Sequence, residues 1–177
     1  MVAFDSAFLL IAIRKDAIPA SVERAKERVD HLVSQLAQSE ERILVPTPAL
    51  SELLVHAGEA GETYLEELQK SAKFRIASFN TLAAVEVALD IRAQIRKGDK
   101  RGGVNSTWAK ANFDRQIVAI AKTSGAHTIY SDDPDVEVHA KRFGLQVKRL
   151  MGLELPPSRT PLFDTINQPD GENGDRE

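Results

Sequence analysis

The chain has 177 residues, 42% of them hydrophobic, which suits one globular domain with a sizeable core. It contains no cysteine, so disulfides, thiol chemistry and cysteine-based zinc sites are excluded together. The formal net charge of -3 gives no global basic bias, so any nucleic-acid contact has to come from a local patch. No apolar stretch approaches the ~20 residues needed to span a bilayer. The start, Met1-Val-Ala-Phe-Asp5, has an acid and no basic residue and does not read as a signal peptide. The expectation is a cytoplasmic protein with no membrane contact.

Val2 to Phe4 predicts a first strand ending at Asp5, followed by a short helix rich in leucine and isoleucine. Asp16-Ala-Ile-Pro19 breaks that helix. From Ala20 to Ala37, the spacing of Val22, Ala25, Val29, Leu32, Val33 and Leu36 predicts an amphipathic helix. Arg42 to Pro46 predicts a second strand, and Thr47-Pro48 opens a helix with Thr47 as N-cap and Glu52 just over one turn inside. Gly58 and Gly61 close it, and Thr63 to Ser71 predicts another short helix.

Lys73 to Phe79 alternates as a third strand. Asn80-Thr81 cap a long helix to about Lys97, expected to bury Leu82, Val85, Leu89 and Ile95. A basic, glycine-rich loop follows, residues 98–106. Asn112 then predicts the N-cap of a helix from Phe113 to Ser124, with Asp114 in its first turn and Gly125 as its stop. Thr128-Ile-Tyr130 is a fourth strand running into Ser131, Asp132, Asp133 and Asp135. A helix from Pro134 to Phe143 and a strand from Leu145 to Leu150 complete the pattern. Strands alternating with helices imply an α/β fold with a mostly parallel five-stranded sheet. The domain is expected to span residues 1–152, and residues 153–177 to form an extended or disordered acidic tail containing prolines.

Four carboxylates fall at equivalent places. Asp5 ends the first strand, Glu52 lies in the helix after the second, Asp114 in the helix before the fourth, and Asp133 just after the fourth. The C-terminal edge of a parallel sheet is where ligands bind. Acids gathered there repel one another, and a hard divalent cation relieves the repulsion. Such a site suits metal-assisted hydrolysis of a phosphate ester. Each acid also has a plainer role. Asp133 before Pro134 is what a helix N-cap requires, and Asp114 would complement a helix dipole. Asp5, set within an apolar run, needs partners if buried.

Phe4-Asp-Ser, Ser51-Glu-Leu, Asn112-Phe-Asp114 with the apolar run after it, and Tyr130-Ser-Asp-Asp-Pro-Asp-Val136 resemble the four acidic motifs of PIN-domain nucleases, and above all toxins of VapC type. The resemblance runs over about residues 1 to 150. It implies a sheet of strand order 3-2-1-4-5 flanked by helices. It further implies an endoribonuclease dependent on Mg²⁺ or Mn²⁺, the toxin of a toxin–antitoxin pair, working on RNA as a homodimer beside an antitoxin protein. Carried over by position, Asp5, Glu52, Asp114 and Asp133 are the catalytic acids. Asp5, Asp114 and Asp133 hold the metal, with Ser6, Ser131 and Asp135 as auxiliaries. Position 7 is Ala where the family often has Asn, and Val136 stands where Phe is usual.

The cations Lys97, Lys100, Arg101, Lys110 and Arg115 surround Trp108. They fit an RNA clamp with the indole stacking on a base, or a solvated loop with Trp108 packed at its root. The four histidines show no metal-ligand spacing and read as surface or internally satisfied residues. The competing functions are a PIN-like RNA-processing nuclease with no toxin role, a phosphatase or receiver-like domain, and a catalytically silent interaction module. The receiver reading needs a strand-end Asp and a later Lys, and this pairing is missing.

Overall fold

The structure, a computed structural model, describes residues 1–14 and 22–157. The strand β1 (Val2–Phe4) is buried at every position and lies at the centre of the sheet. It pairs in parallel with β2 (Ile43–Pro46) on one side and β4 (Thr128–Tyr130) on the other. The outer strands β3 (Phe74–Ala77) and β5 (Gln146–Lys148) are parallel as well, giving five strands in the order 3-2-1-4-5. This is the α/β architecture and strand order expected. A central parallel strand is covered on both faces, so it reads as a continuous apolar run rather than an alternation.

The two-residue period of the strands divides the core. Val2, Phe4, Ile43, Val45 and Tyr130 face one layer, with α1 (Ser6–Ile13), α2 (Ala25–Gln38), α3 (Thr47–Ala57) and α4 (Gly61–Lys70). Ala3, Leu44 and Ile129 face the other, with α5 (Thr81–Arg96), α6 (Trp108–Thr123) and α7 (Pro134–Arg142). A short 3-10 turn, Leu150–Gly152, follows β5. Leu153 is buried against the α2 layer, and the Arg28 guanidinium donates to its carbonyl, so the packed body reaches at least that residue.

Three local expectations are corrected. The helix carrying Asp114 begins five residues earlier, at Trp108, with Thr107 as N-cap, its hydroxyl accepting from the Lys110 N–H. Asn112 is therefore interior, and Asp114 lies in the second turn, away from the N-terminal end of the dipole. In α5 the buried face is Ala83, Val87 and Gln94, whereas Leu82, Val85, Leu89 and Ile95 are exposed. Ala83 and Val87 pack into the core with α6 and α7, which turns the larger apolar side chains of α5 to solvent. In α3, Pro46 stands at the cap position and Thr47 is already helical, with no side-chain cap bond. The break at Asp16 to Pro19 and the sequence after residue 157 lie outside the described residues. Among the described residues, no helix is long and apolar enough to cross a membrane.

Candidate metal centre at the sheet edge

The C-terminal ends of β1, β2 and β4 deliver the acids to one edge. Asp5 is the N-cap of α1: its backbone N–H donates to the Tyr130 carbonyl, and its carboxylate accepts from the Phe8 N–H at 2.9 Å. The capping bond therefore anchors the first acid to the first helix. Asp133 caps α7 in the same way, accepting from the Asp135 N–H at 2.8 Å, while Pro134 occupies the first helical position. Capping and site membership coincide because a carboxylate has a second oxygen to spare. For Asp133 that oxygen accepts from Lys110 at 2.6 Å.

Ser131 joins the two capping acids. Its fully buried hydroxyl bonds the Asp5 carboxylate and accepts from the Asp133 N–H at 3.1 Å. Ser6 donates to Glu52 at 2.5 Å, tying α1 to α3 across the edge. Each expected hydroxyl auxiliary thus touches one of the expected acids.

Asp114, Asp133 and Asp135 converge, each offering a carboxylate oxygen within 4.8 Å of the others. Asp5 and Glu52 are not part of that trio, although Asp5 feels the charges of Asp132 and Asp133. Asp135, read from the sequence as an auxiliary, is one of the three here. Asp132 is exposed but not merely solvated: it accepts from the Leu150 N–H at 2.9 Å and fastens the turn after β5.

Lys110 sits among the three acids. Its ammonium lies 2.7 Å from Asp114, 2.6 Å from Asp133 and 4.0 Å from Asp135. Neither the RNA clamp nor the solvated loop considered for the basic residues places Lys110 there. Lys110 and Asp114 are four residues apart on α6, which places them on one helix face. That signal was hidden in the sequence by setting the helix start at Phe113.

Burial sets the electrostatics. It pushes Asp5 up to about 7, against the bonds from Phe8 and Ser131, with Asp132 and Asp133 adding to the rise. It also drives Asp114 up to about 6, where Lys110 pulls down but Asp133 and Asp135 push up. At Asp133 burial works the same way but is outweighed by Lys110 and the Asp135 N–H, so its carboxyl lies below the usual range. Lys110 itself is raised: partial burial opposes its charge, and Asp114 and Asp133 overcome that. Lysine and Asp114 both shift upward because the ammonium gains several acids, whereas Asp114 gains one cation against burial and two like charges.

The remaining cations divide. Arg115 is fully buried, held by Asp90 at 2.9 Å and by the Lys100 carbonyl at 2.7 Å, so it does not face a ligand. Arg142 also engages Asp90 and donates to the Gly102 carbonyl at 2.7 Å. The two guanidiniums strap the basic loop to the body. A side chain at Gly102 would meet them, and its φ of +73 suits glycine. Lys97, Lys100 and Arg101 stay exposed. Trp108, 37% exposed, has Lys100 and Arg115 over its ring at 5.3 and 5.5 Å, so it packs at the loop root and stays partly accessible. Among the histidines, His139 departs from expectation: it is fully buried, and its Nε2 has no hydrogen-bond partner.

The donor set fits a hard divalent cation. The trio supplies carboxylate oxygens alone, and the structure already places a positive charge, the Lys110 ammonium, at their centre.

No protein-family model matches the sequence, and no curated protein matches it significantly. Solved structures do. The chain is similar to a chain of VapBC2 from Rickettsia felis bound to a promoter DNA fragment, at 18% identity and a TM-score of 0.54, covering 84% of this chain and 98% of that one. It is similar also to a chain of DNA-bound VapBC from Salmonella typhimurium, at 18% identity and a TM-score of 0.50, covering 84% and 97%. At such identity the likeness concerns the fold. With its all-parallel sheet in the order 3-2-1-4-5 between helical layers, this chain carries a VapC-like PIN-domain fold.

Proposed function

We propose that the protein is a metal-dependent endoribonuclease that hydrolyses RNA phosphodiester bonds as the toxin of a toxin–antitoxin pair. The observation that carries this reading is the trio of Asp114, Asp133 and Asp135 drawn together around a cation at the ligand-binding edge of the sheet. Asp114, Asp133 and Asp5 would hold Mg²⁺ or Mn²⁺, with Asp135 beside them. When bound, the metal supplies a Lewis acid that activates water and stabilises the leaving oxygen of a phosphodiester.

The chain's own residues do the rest. Capping bonds and the Ser131 bridge hold Asp5 and Asp133 in place, so little ordering is left for the moment of reaction. Glu52, oriented by Ser6, offers an acceptor at the same edge. Lys100 and Arg101 on the strapped loop meet the RNA backbone, and the partly exposed indole of Trp108 offers a stacking surface.

The similar solved chains come from VapBC assemblies, which supports a partner of antitoxin type. The exposed apolar stripe of α5, Leu82, Val85 and Leu89, supports homodimerisation. A cytoplasmic location fits an RNA target. The test is RNA cleavage and growth on induced expression. The wild type should cleave RNA with Mn²⁺ and arrest growth, and Asp5→Asn should do neither while keeping its far-UV spectrum. Full cleavage by that variant would remove the assignment.

A further inference from the structure

We infer that Lys110 is the acidic trio's own counter-ion, so that a divalent cation enters by displacing it. This inference rests on the proposed metal site, and it concerns how that site is filled.

The ammonium bridges two elements. It reaches Asp114 on its own helix and Asp133 at the start of α7, with Asp135 at 4.0 Å. Three carboxylates whose oxygens lie within 4.8 Å repel one another, and Asp114 is nearly closed to water, at 5% exposure. Lys110 relieves part of this repulsion with one positive charge where the metal would bring two. Its side chain is 45% exposed, so it can leave for solvent by rotating about its own four-carbon stem. Ammonium and metal compete for the same carboxylate oxygens and repel each other at that distance. Loading is therefore an exchange, and the lysine sets a threshold of cation concentration below which the site stays closed by an internal ion pair. Once released, the ammonium stays tethered to α6, beside a surface that takes a polyanion.

The experiment is a Mn²⁺ titration, by calorimetry or by the loss of free-Mn²⁺ resonance signal, on wild type, Lys110→Met, Lys110→Arg and Asp114→Asn. Lys110→Met is expected to bind Mn²⁺ about tenfold or more tighter than wild type, since a competitor worth about one decade of affinity has gone. It should also show a lower Tm in EDTA and a larger Mn²⁺-induced rise. Lys110→Arg, which keeps the charge, should stay near wild type, and Asp114→Asn should lose binding.

A second readout needs no variant. In the wild type, an amine-acetylating reagent followed by mass spectrometry should modify Lys110 faster with Mn²⁺ than in EDTA. Equal or weaker Mn²⁺ binding by Lys110→Met, or labelling that Mn²⁺ leaves unchanged or slows, overturns the inference. If wild type and Lys110→Met both fail to bind Mn²⁺, the metal site itself falls, and the inference with it. That outcome is distinct from two proteins binding equally.

Discussion

Asp5→Asn should make the metal-free protein more stable while abolishing its activity. The substitution is nearly isosteric, and the amide oxygen can still accept the capping N–H of Phe8. What it removes is a carboxylate that burial lifts from 3.8 to about 7. A shift of roughly 3 units at 1.36 kcal/mol each corresponds to roughly 4 kcal/mol. The sign follows from proton binding. Between pH 3.8 and about 7 the folded protein holds a proton at Asp5 that the unfolded chain has released. Stability therefore falls as pH rises through that window, and the penalty is complete above it. Asn has no such penalty. Asp114 is lifted in the same direction, but it is present in both proteins and cancels in the difference. Urea unfolding in EDTA at intervals from about pH 4 to about pH 8 should show the advantage of Asp5→Asn growing by several kcal/mol. A difference that does not vary with pH would refute the burial argument for Asp5.

Asp90→Asn should cost about 3 kcal/mol or more, because it leaves the fully buried Arg115 without its carboxylate partner. A thermal melt should fall by about 6–12 °C, and a fall of less than about 2 °C would mean that the strap is dispensable. Lys100→Ala combined with Arg101→Ala should weaken RNA binding across sequences and reduce the slope of log affinity against log salt by about 1–2, as read by fluorescence anisotropy. An unchanged slope would place the backbone contact elsewhere. Leu89→Lys, at a position 55% exposed, should convert a dimer to a monomer in light scattering with little change in Tm; a dimer that persists would move the interface off α5.

The parallel alternation of strands and helices and the edge to which the acids are delivered were legible because parallel strands and their caps leave strong local marks, whereas the strand order came from the resemblance. Continuous apolar runs end at Asp5, Pro46 and Ser131, and each is followed by a helix start. Asp133 before Pro134 is both a cap and a candidate ligand, and the structure keeps both roles open.

What escaped was tertiary. In α5, Leu82, Val85 and Leu89 form as good an apolar face as a buried helix would show, and periodicity cannot distinguish a core face from an exposed one. In α6, Asn112 is as good a cap by residue type as Thr107, and choosing it hid the one-turn pairing of Lys110 with Asp114. Arg115 looked like a member of a basic patch. Its partner Asp90 lies 25 residues away on another helix, a contact that no local pattern encodes.

The most direct test of the central claim is an anomalous-scattering map from crystals of the protein grown with Mn²⁺. The account predicts a peak held by the carboxylates of Asp114, Asp133 and Asp5, with Asp135 beside it and Lys110 turned away toward solvent. A map with no peak there at saturating Mn²⁺, and with Lys110 still bridging Asp114 and Asp133, would contradict it.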